Sequence, residues 1–186
     1  MISMKKFPNE IILVRHGENE IDSSKLNGEL SLSKNGIIQA KWAAKALAQS
    51  VSHIDGVFTS NSKRTIETAQ IISPVDNIIR DDRLLERGWG DNNTTGNETT
   101  EEVQLRLKNL FDEIFEKYNE KIILLITHGG IVKEAQRLLE SNAPYNNQGY
   151  SIDNCKITRY SRTESETGED VGYYRWKNTV SPFETQ

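Results

Sequence analysis

Two apolar runs of similar design constrain this chain more than any other feature. EIILVRHG spans residues 10–17 and KIILLITHGG spans 121–130, and each run ends on a histidine followed by glycine. Short unbroken stretches of Ile, Leu and Val read as strands buried on both faces, which belong to parallel sheets covered by helices. The intervening segments have helical period. Ser33 opens a helix to about residue 49, with Ile37, Ala40, Ala44, Leu47 and Ala48 spaced as one face. GVFTS reads as a second buried strand, and SKRTIETAQII as a helix with Pro74 just beyond its end. NIIRDDRLLERGWGDNNTTGNE reads as a short strand and then a long polar loop. Thr99 and Glu102 form a T-x-x-E capping box for a helix whose apolar face runs through Val103, Leu107, Leu110, Ile114 and Tyr118. A further helix runs from the second histidine to about residue 140. After Pro144 come two strand-like runs, CKITRYS and VGYYRWK, with the acidic RTESETGED as a solvated turn between them.

With no repeat and no linker, residues 1–186 read as a single domain. The expected fold is α/β: a three-layer αβα sandwich with a mainly parallel central sheet and helices on both faces. Ligands of such sheets collect beyond the carboxyl ends of the strands. His16 and His128 both stand at ends of that kind.

Composition removes several functional classes. A net charge of -4 leaves no basic field for nucleic acid or an anionic membrane, so phosphate chemistry has to come from a local pocket. Cys155 is the single cysteine, which excludes an internal disulfide, a multi-cysteine zinc site and, with Ser161 six residues on, a C-x5-R phosphatase loop. It reads as a small core residue. Residues 1–6 are too short and polar for a secretory signal, and no apolar stretch is long enough to span a bilayer, so the expected compartment is the cytosol. Neither G-x-G-x-x-G nor G-x-x-x-x-G-K-[ST] occurs.

The two histidines carry chemistry together rather than singly. An imidazole with a pKa of about 6.5 is largely neutral at pH 7 and is a nucleophile without a separate base. A phosphoryl group is an anion to be held by cations and backbone N–H donors. Arg15 offers a planar fork of donors, and a helix starting at Gly129 turns its free N–H groups toward the same place. His53, in a loop before GVFTS, fits no such pattern. Trp89 reads equally as a substrate-mouth residue or as an anchor of its loop.

These motifs resemble those of the histidine phosphatase superfamily, the phosphoglycerate mutase-like proteins. R-H-G-[EQ] is matched by Arg15, His16, Gly17 and Glu18, and S-P-L-x-R-A-x-Q-T-A resembles SNSKRTIETA, with Arg64 at the phosphate-binding arginine. LSKNGIIQA, LLERGWGD, GNETTEEVQLRL, ITHGG and NCKIT resemble further elements in the family's order, over nearly the whole chain. The resemblance implies that His16 becomes phosphohistidine and that Arg15, Arg64 and His128 neutralise the phosphoryl oxygens. It further implies that Glu86 protonates the leaving group and then activates water. Asn19 and Gly129 join the phosphate-binding set. No cofactor and no metal are implied.

Two positions depart from the family pattern, which has Thr or Ser at Asn19 and Asn at Asp22. Asn19 still donates a hydrogen bond; an ionised Asp22 does not, and it repels phosphate. Three outcomes are open. Asp22 turns away and Lys25 or Asn27 substitutes, the site takes an unusual substrate, or catalysis is weakened. The leading expectation is a metal-independent phosphomonoester hydrolase acting on a small-molecule phosphate ester. The alternatives are a cofactor-dependent phosphoglycerate mutase, a phosphohistidine protein phosphatase and a binding module with a decayed site. Family mutases are generally longer, with extra segments around the site, and this chain has little room for them. The strands at 155–161 and 171–177 are either an ordinary sheet edge or the seam of a homodimer.

Overall fold

The computed structural model describes residues 10–73, 76–87, 98–139, 151–162 and 176–180. Strands β1 (Glu10–Arg15), β2 (Gly56–Thr59), β3 (Ile78–Arg80), β4 (Ile122–Thr127), β5 (Ile157–Arg162) and β6 (Trp176–Val180) form one sheet in the order β3-β2-β4-β1-β5-β6. The first four are mutually parallel; β5 runs antiparallel to β1, and β6 antiparallel to β5. Helices α1 (Lys34–Ser50), α2 (Lys63–Ile72), α3 (Thr100–Lys117) and α4 (Gly129–Leu139) cover the two faces, with short 3-10 turns at Asn27–Glu29 and Asp82–Leu84.

Alternation along the strands builds two cores from one sheet. Ile11, Leu13, Ile123 and Leu125 pack under α3 and α4 with Leu107, Phe111, Val132 and Leu139. Ile12, Val14, Leu124 and Ile126 pack under α1 and α2 with Ala40, Ala43, Leu47 and Ile72. This is the expected three-layer sandwich, with the two antiparallel strands at one edge. The Thr99–Glu102 capping box forms, each partner closing on the other.

The sequence places the buried face of α1 one step off. Gly36, Ala40, Ala43 and Leu47 are inside, while Ile37 is 38% exposed and Ile38 and Trp42 more so. The cause is the closeness of α1 to the loop after β1: a Cβ on Gly36 would lie 1.9 Å from the carbonyl oxygen of Glu18. Only a glycine fits there, and that contact sets the helix rotation. The strand expected at 155–161 as a sheet edge or a dimer seam is neither: β5 lies inside the sheet, because β1 pairs on one side of it and β6 on the other. Most of the strand expected at 171–177, the acidic turn, Pro74, Trp89 and Pro144 lie outside the described residues. Among those described, no helix is long and apolar enough to cross a membrane.

Candidate active site

Parallel pairing of β1 with β4 matches Ile11 to Ile123 and continues residue by residue to Arg15 opposite Thr127. The next residue on each strand is histidine. His16 and His128 are therefore brought side by side by register alone, with ring centroids 5.1 Å apart.

His16 is 5% exposed, and its two ring nitrogens are distinguished by their partners. Nδ1 lies 2.7 Å from the carbonyl oxygen of Gly17, which only accepts, so Nδ1 carries the hydrogen. Arg64 Nε donates to Nε2 at 3.2 Å, so Nε2 keeps its lone pair. Burial first, then Arg64, depresses the His16 pKa to about 3, which leaves the ring neutral at physiological pH. The turn is held from three sides. Gly17 N donates to Thr68 Oγ1, Asn154 Nδ2 to the carbonyl of His16, and Cys155 N to that of Arg15. Cys155 takes φ 57° to make that contact, and burial pushes its thiol up to about 12, so it stays protonated. Its core placement is as expected.

Arg64, 3% exposed, links the site. Besides His16 it donates from Nη2 to His128 Nδ1 (3.2 Å) and from Nη1 to the carbonyl of Asn27 (2.5 Å). Arg15 reaches across from β1, its Nη1 donating to the carbonyl of Ile152. Its Nε is buried without a hydrogen-bond partner, and the guanidinium packs against Gly129 at the start of α4. A buried cationic donor left without a protein partner is a socket for an anion. His128 is fully buried, and burial first, then the neighbouring His16, holds its pKa well below the ordinary value.

Glu86 enters from the loop after the Asp82–Leu84 turn. Its carboxylate accepts from Arg87 N (3.0 Å) and Gly130 N (3.4 Å), and burial raises its pKa despite those bonds. Arg15, His16, Arg64, Glu86, His128 and Gly129 are thus brought together. Asn19 instead turns its amide onto the carbonyl of Glu20. Asp22 accepts from the backbone and hydroxyl of Ser24 and pairs with Lys25 at 3.3 Å, so its carboxylate is committed to its own loop, and Lys25 is held there with it by Glu20 as well. Asn27 approaches Arg64 through its carbonyl. His53 lies on the surface beside Asp55.

Sequence reasoning missed Arg106. From α3 it donates to the carbonyls of Arg83 and Leu85 and pairs with Glu98 at 2.6 Å, while Arg87 Nε donates to the carbonyl of Glu98. One guanidinium therefore sets the backbone that carries Glu86. Its presence in the GNETTEEVQLRL stretch was the available signal. Ser60, Ser62 and Thr65, grouped behind His128, were missed as well. Among the described residues no three His, Cys, Asp or Glu side chains gather to hold a metal ion.

Comparison with known proteins meets the same motifs. A 2,3-bisphosphoglycerate-dependent phosphoglycerate mutase of Buchnera aphidicola subsp. Acyrthosiphon pisum is 29% identical over 184 residues, 94% of this chain and 73% of its own. A phosphoglycerate mutase-like protein 4 of Arabidopsis thaliana is 30% identical over 159 residues, covering 67% of this chain and 68% of its own. In fold, the mycobacterial glucosyl-3-phosphoglycerate phosphatase superposes with TM-score 0.68 at 21% identity, over 93% of this chain and 98% of that one. The family model for the histidine phosphatase superfamily (branch 1) matches residues 11–97 and 87–170, the span that carries both histidines, both arginines and Glu86, and the chain belongs to that superfamily.

Proposed function

We propose that the protein, as a single domain over residues 1–186, is a metal-independent phosphomonoester hydrolase. It acts in the cytosol on a small phosphorylated metabolite through a phosphohistidine on His16. The observation that carries this reading is the pairing of a neutral, oriented His16 with the unpartnered buried Nε of Arg15. His16 Nε2 attacks phosphorus as the P–O ester bond breaks, and the leaving alkoxide takes the proton of Glu86. Glu86, now ionised, removes a proton from water. The resulting hydroxide displaces His16 from phosphorus, which returns the ring lone pair and releases phosphate. Arg15, Arg64 and His128, with the backbone at Gly129, hold the phosphoryl oxygens through both steps. The raised pKa of Glu86 suits it to the acid role.

The test is p-nitrophenyl phosphate hydrolysis with EDTA present, comparing wild type with His16→Ala. Turnover that survives EDTA and is lost in the variant is expected. Wild-type turnover that His16→Ala leaves intact would overturn the assignment. The mutase relatives favour a second reading, phosphoryl exchange on phosphoglycerate. It is separated by assaying 3-phosphoglycerate isomerisation with 2,3-bisphosphoglycerate present.

A further inference from the structure

His128 shares Arg64 with the nucleophile: the guanidinium that donates to His16 Nε2 also donates to His128 Nδ1. A guanidinium has no acceptor, so His128 Nδ1 is bare, and in a neutral ring the hydrogen sits on Nε2. On that side Ser60 Oγ lies 2.9 Å away and Ser62 Oγ 3.3 Å away. Ser60 Oγ in turn lies 2.8 Å from Thr65 Oγ1, which is 2.7 Å from the carbonyl of Ser62 and 3.1 Å from that of Ser60. A carbonyl only accepts, so Thr65 donates to it and its oxygen is left to accept. Ser60 Oγ then has two acceptors away from the ring, Thr65 Oγ1 and, at 3.3 Å, Ser62 Oγ, and His128 Nε2 donates to Ser60. All three hydroxyl residues have zero exposure, so no water competes for these bonds. In the pattern S-P-L-x-R-A that this stretch resembles, the positions of Ser62 and Thr65 are Leu and Ala.

We propose that Ser60 and Thr65, with Ser62 beside them, are positioning residues that pin the His128 hydrogen on Nε2 and so reserve Nδ1 as a proton-accepting face beside the phosphoryl pocket. This rests on the reading of His16 as the nucleophile. A phosphate monoester that enters as the monoanion then gives its remaining proton to Nδ1. Its O–H bond breaks, an N–H bond forms, and a dianion is left against an imidazolium. That imidazolium donates from Nδ1 to a phosphoryl oxygen and from Nε2 to Ser60. The groups facing His128 that share this balance are His16 at the neighbouring strand end, Arg15 from β1, Arg64 from α2 and Arg106 from α3, with Glu86 two residues along at Gly130. The site therefore selects the monoanionic form of its ligand, whose second ionisation falls at about pH 6.

The experiment uses the full chain with 15N-labelled histidine. Long-range 1H–15N spectra report which ring nitrogen of His128 is protonated, and inhibition by inorganic phosphate is followed as pH rises. The wild type is expected to show the Nε2–H form, with phosphate affinity falling about tenfold per pH unit above the phosphate ionisation. Thr65→Val removes the nearer of the two acceptors of Ser60 and leaves only Ser62 Oγ at 3.3 Å. It is expected to admit the Nδ1–H form and to flatten that profile, and Thr65→Ser to restore both. A wild-type His128 protonated on Nδ1 would overturn the proposal, and so would Thr65→Val with tautomer and profile unchanged. If Thr65→Val does not fold, the wild-type spectrum decides alone. That spectrum requires no turnover, so its outcome is separate from any failure of the hydrolase reading.

Discussion

On the proposed mechanism, Gly130→Ala separates the acid role of Glu86 from everything else at the site. A Cβ on Gly130 would lie 2.4 Å from Glu86 Oε1 and 3.3 Å from its Cδ, whereas ordinary contact begins at 3.4 Å. The backbone of Gly130 is helical, so alanine brings no conformational strain of its own. The obstructed atom is the far end of a flexible side chain, so the fold accommodates the methyl by moving the carboxyl group by about 1 Å, and a misplacement of that size costs about 100-fold in rate. The loss falls on leaving groups that need a proton. An alkyl phosphate is expected to lose about 100-fold in kcat/KM, while p-nitrophenyl phosphate, whose leaving group departs without protonation, is expected to lose less than about tenfold. Thermal unfolding is expected to show at most about 1 kcal/mol of change. Gly129→Ala is the matched control, since its Cβ meets Arg15 atoms only at 3.5 Å and beyond. Equal losses on the alkyl and aryl substrates would refute the placement of Glu86 as the proton donor.

Two further outcomes are expected. Burial depresses the pKa of His16 to about 3, so between that value and the unfolded value of 6.5 the unfolded chain binds the extra proton. The contribution of neutral His16 is therefore fully present above pH 6.5 and is lost as pH falls toward 3. The urea midpoint should drop between neutral and mildly acid pH, and His16→Gln should reduce the drop; a midpoint that rises on acidification contradicts the burial argument. Asp22→Asn is expected to change p-nitrophenyl phosphate kcat/KM by less than about twofold, because Asp22 is held by Ser24 and Lys25 within its own loop. A tenfold gain would show that its carboxylate faces the phosphoryl group.

Much of the site is legible in the chain because it depends on local pattern and strand register. The two apolar runs are offset by a constant 112 residues, as the pairing of Ile11 with Ile123 and of Arg15 with Thr127 shows, so the histidines that end them had to become neighbours once the strands paired in parallel. The capping box at Thr99 is equally local. The face of α1 was misplaced because hydrophobicity pointed to Ile37, while close approach to the Glu18 carbonyl requires Gly36 inside. Arg106 and the Ser60–Thr65 chain were not seen because their partners are backbone carbonyls and a ring nitrogen distant in sequence. Periodicity reports which face a residue occupies and carries no information on what its polar atoms meet there.

The electrostatics of the site follow from the same separation. The chain is acidic overall, yet Arg64 donates to the buried ring of His16 and Arg15 packs against Gly129 beside the other histidine. Burying Arg15 with its Nε unpaired costs desolvation free energy that no protein group offsets at that atom. Glu86 is the first charge that opposes it, and burial raises the pKa of Glu86, which weakens that opposition. Both histidines are held neutral by the same burial and the same cations. On the proposed mechanism an entering phosphoryl group thus meets buried cations, a neutral His16 and a Glu86 whose pKa is raised toward its acid form. The strain of assembling those states is borne by the fold before the ligand arrives, and for that reason a catalytic set drawn from four separate elements acts as one unit.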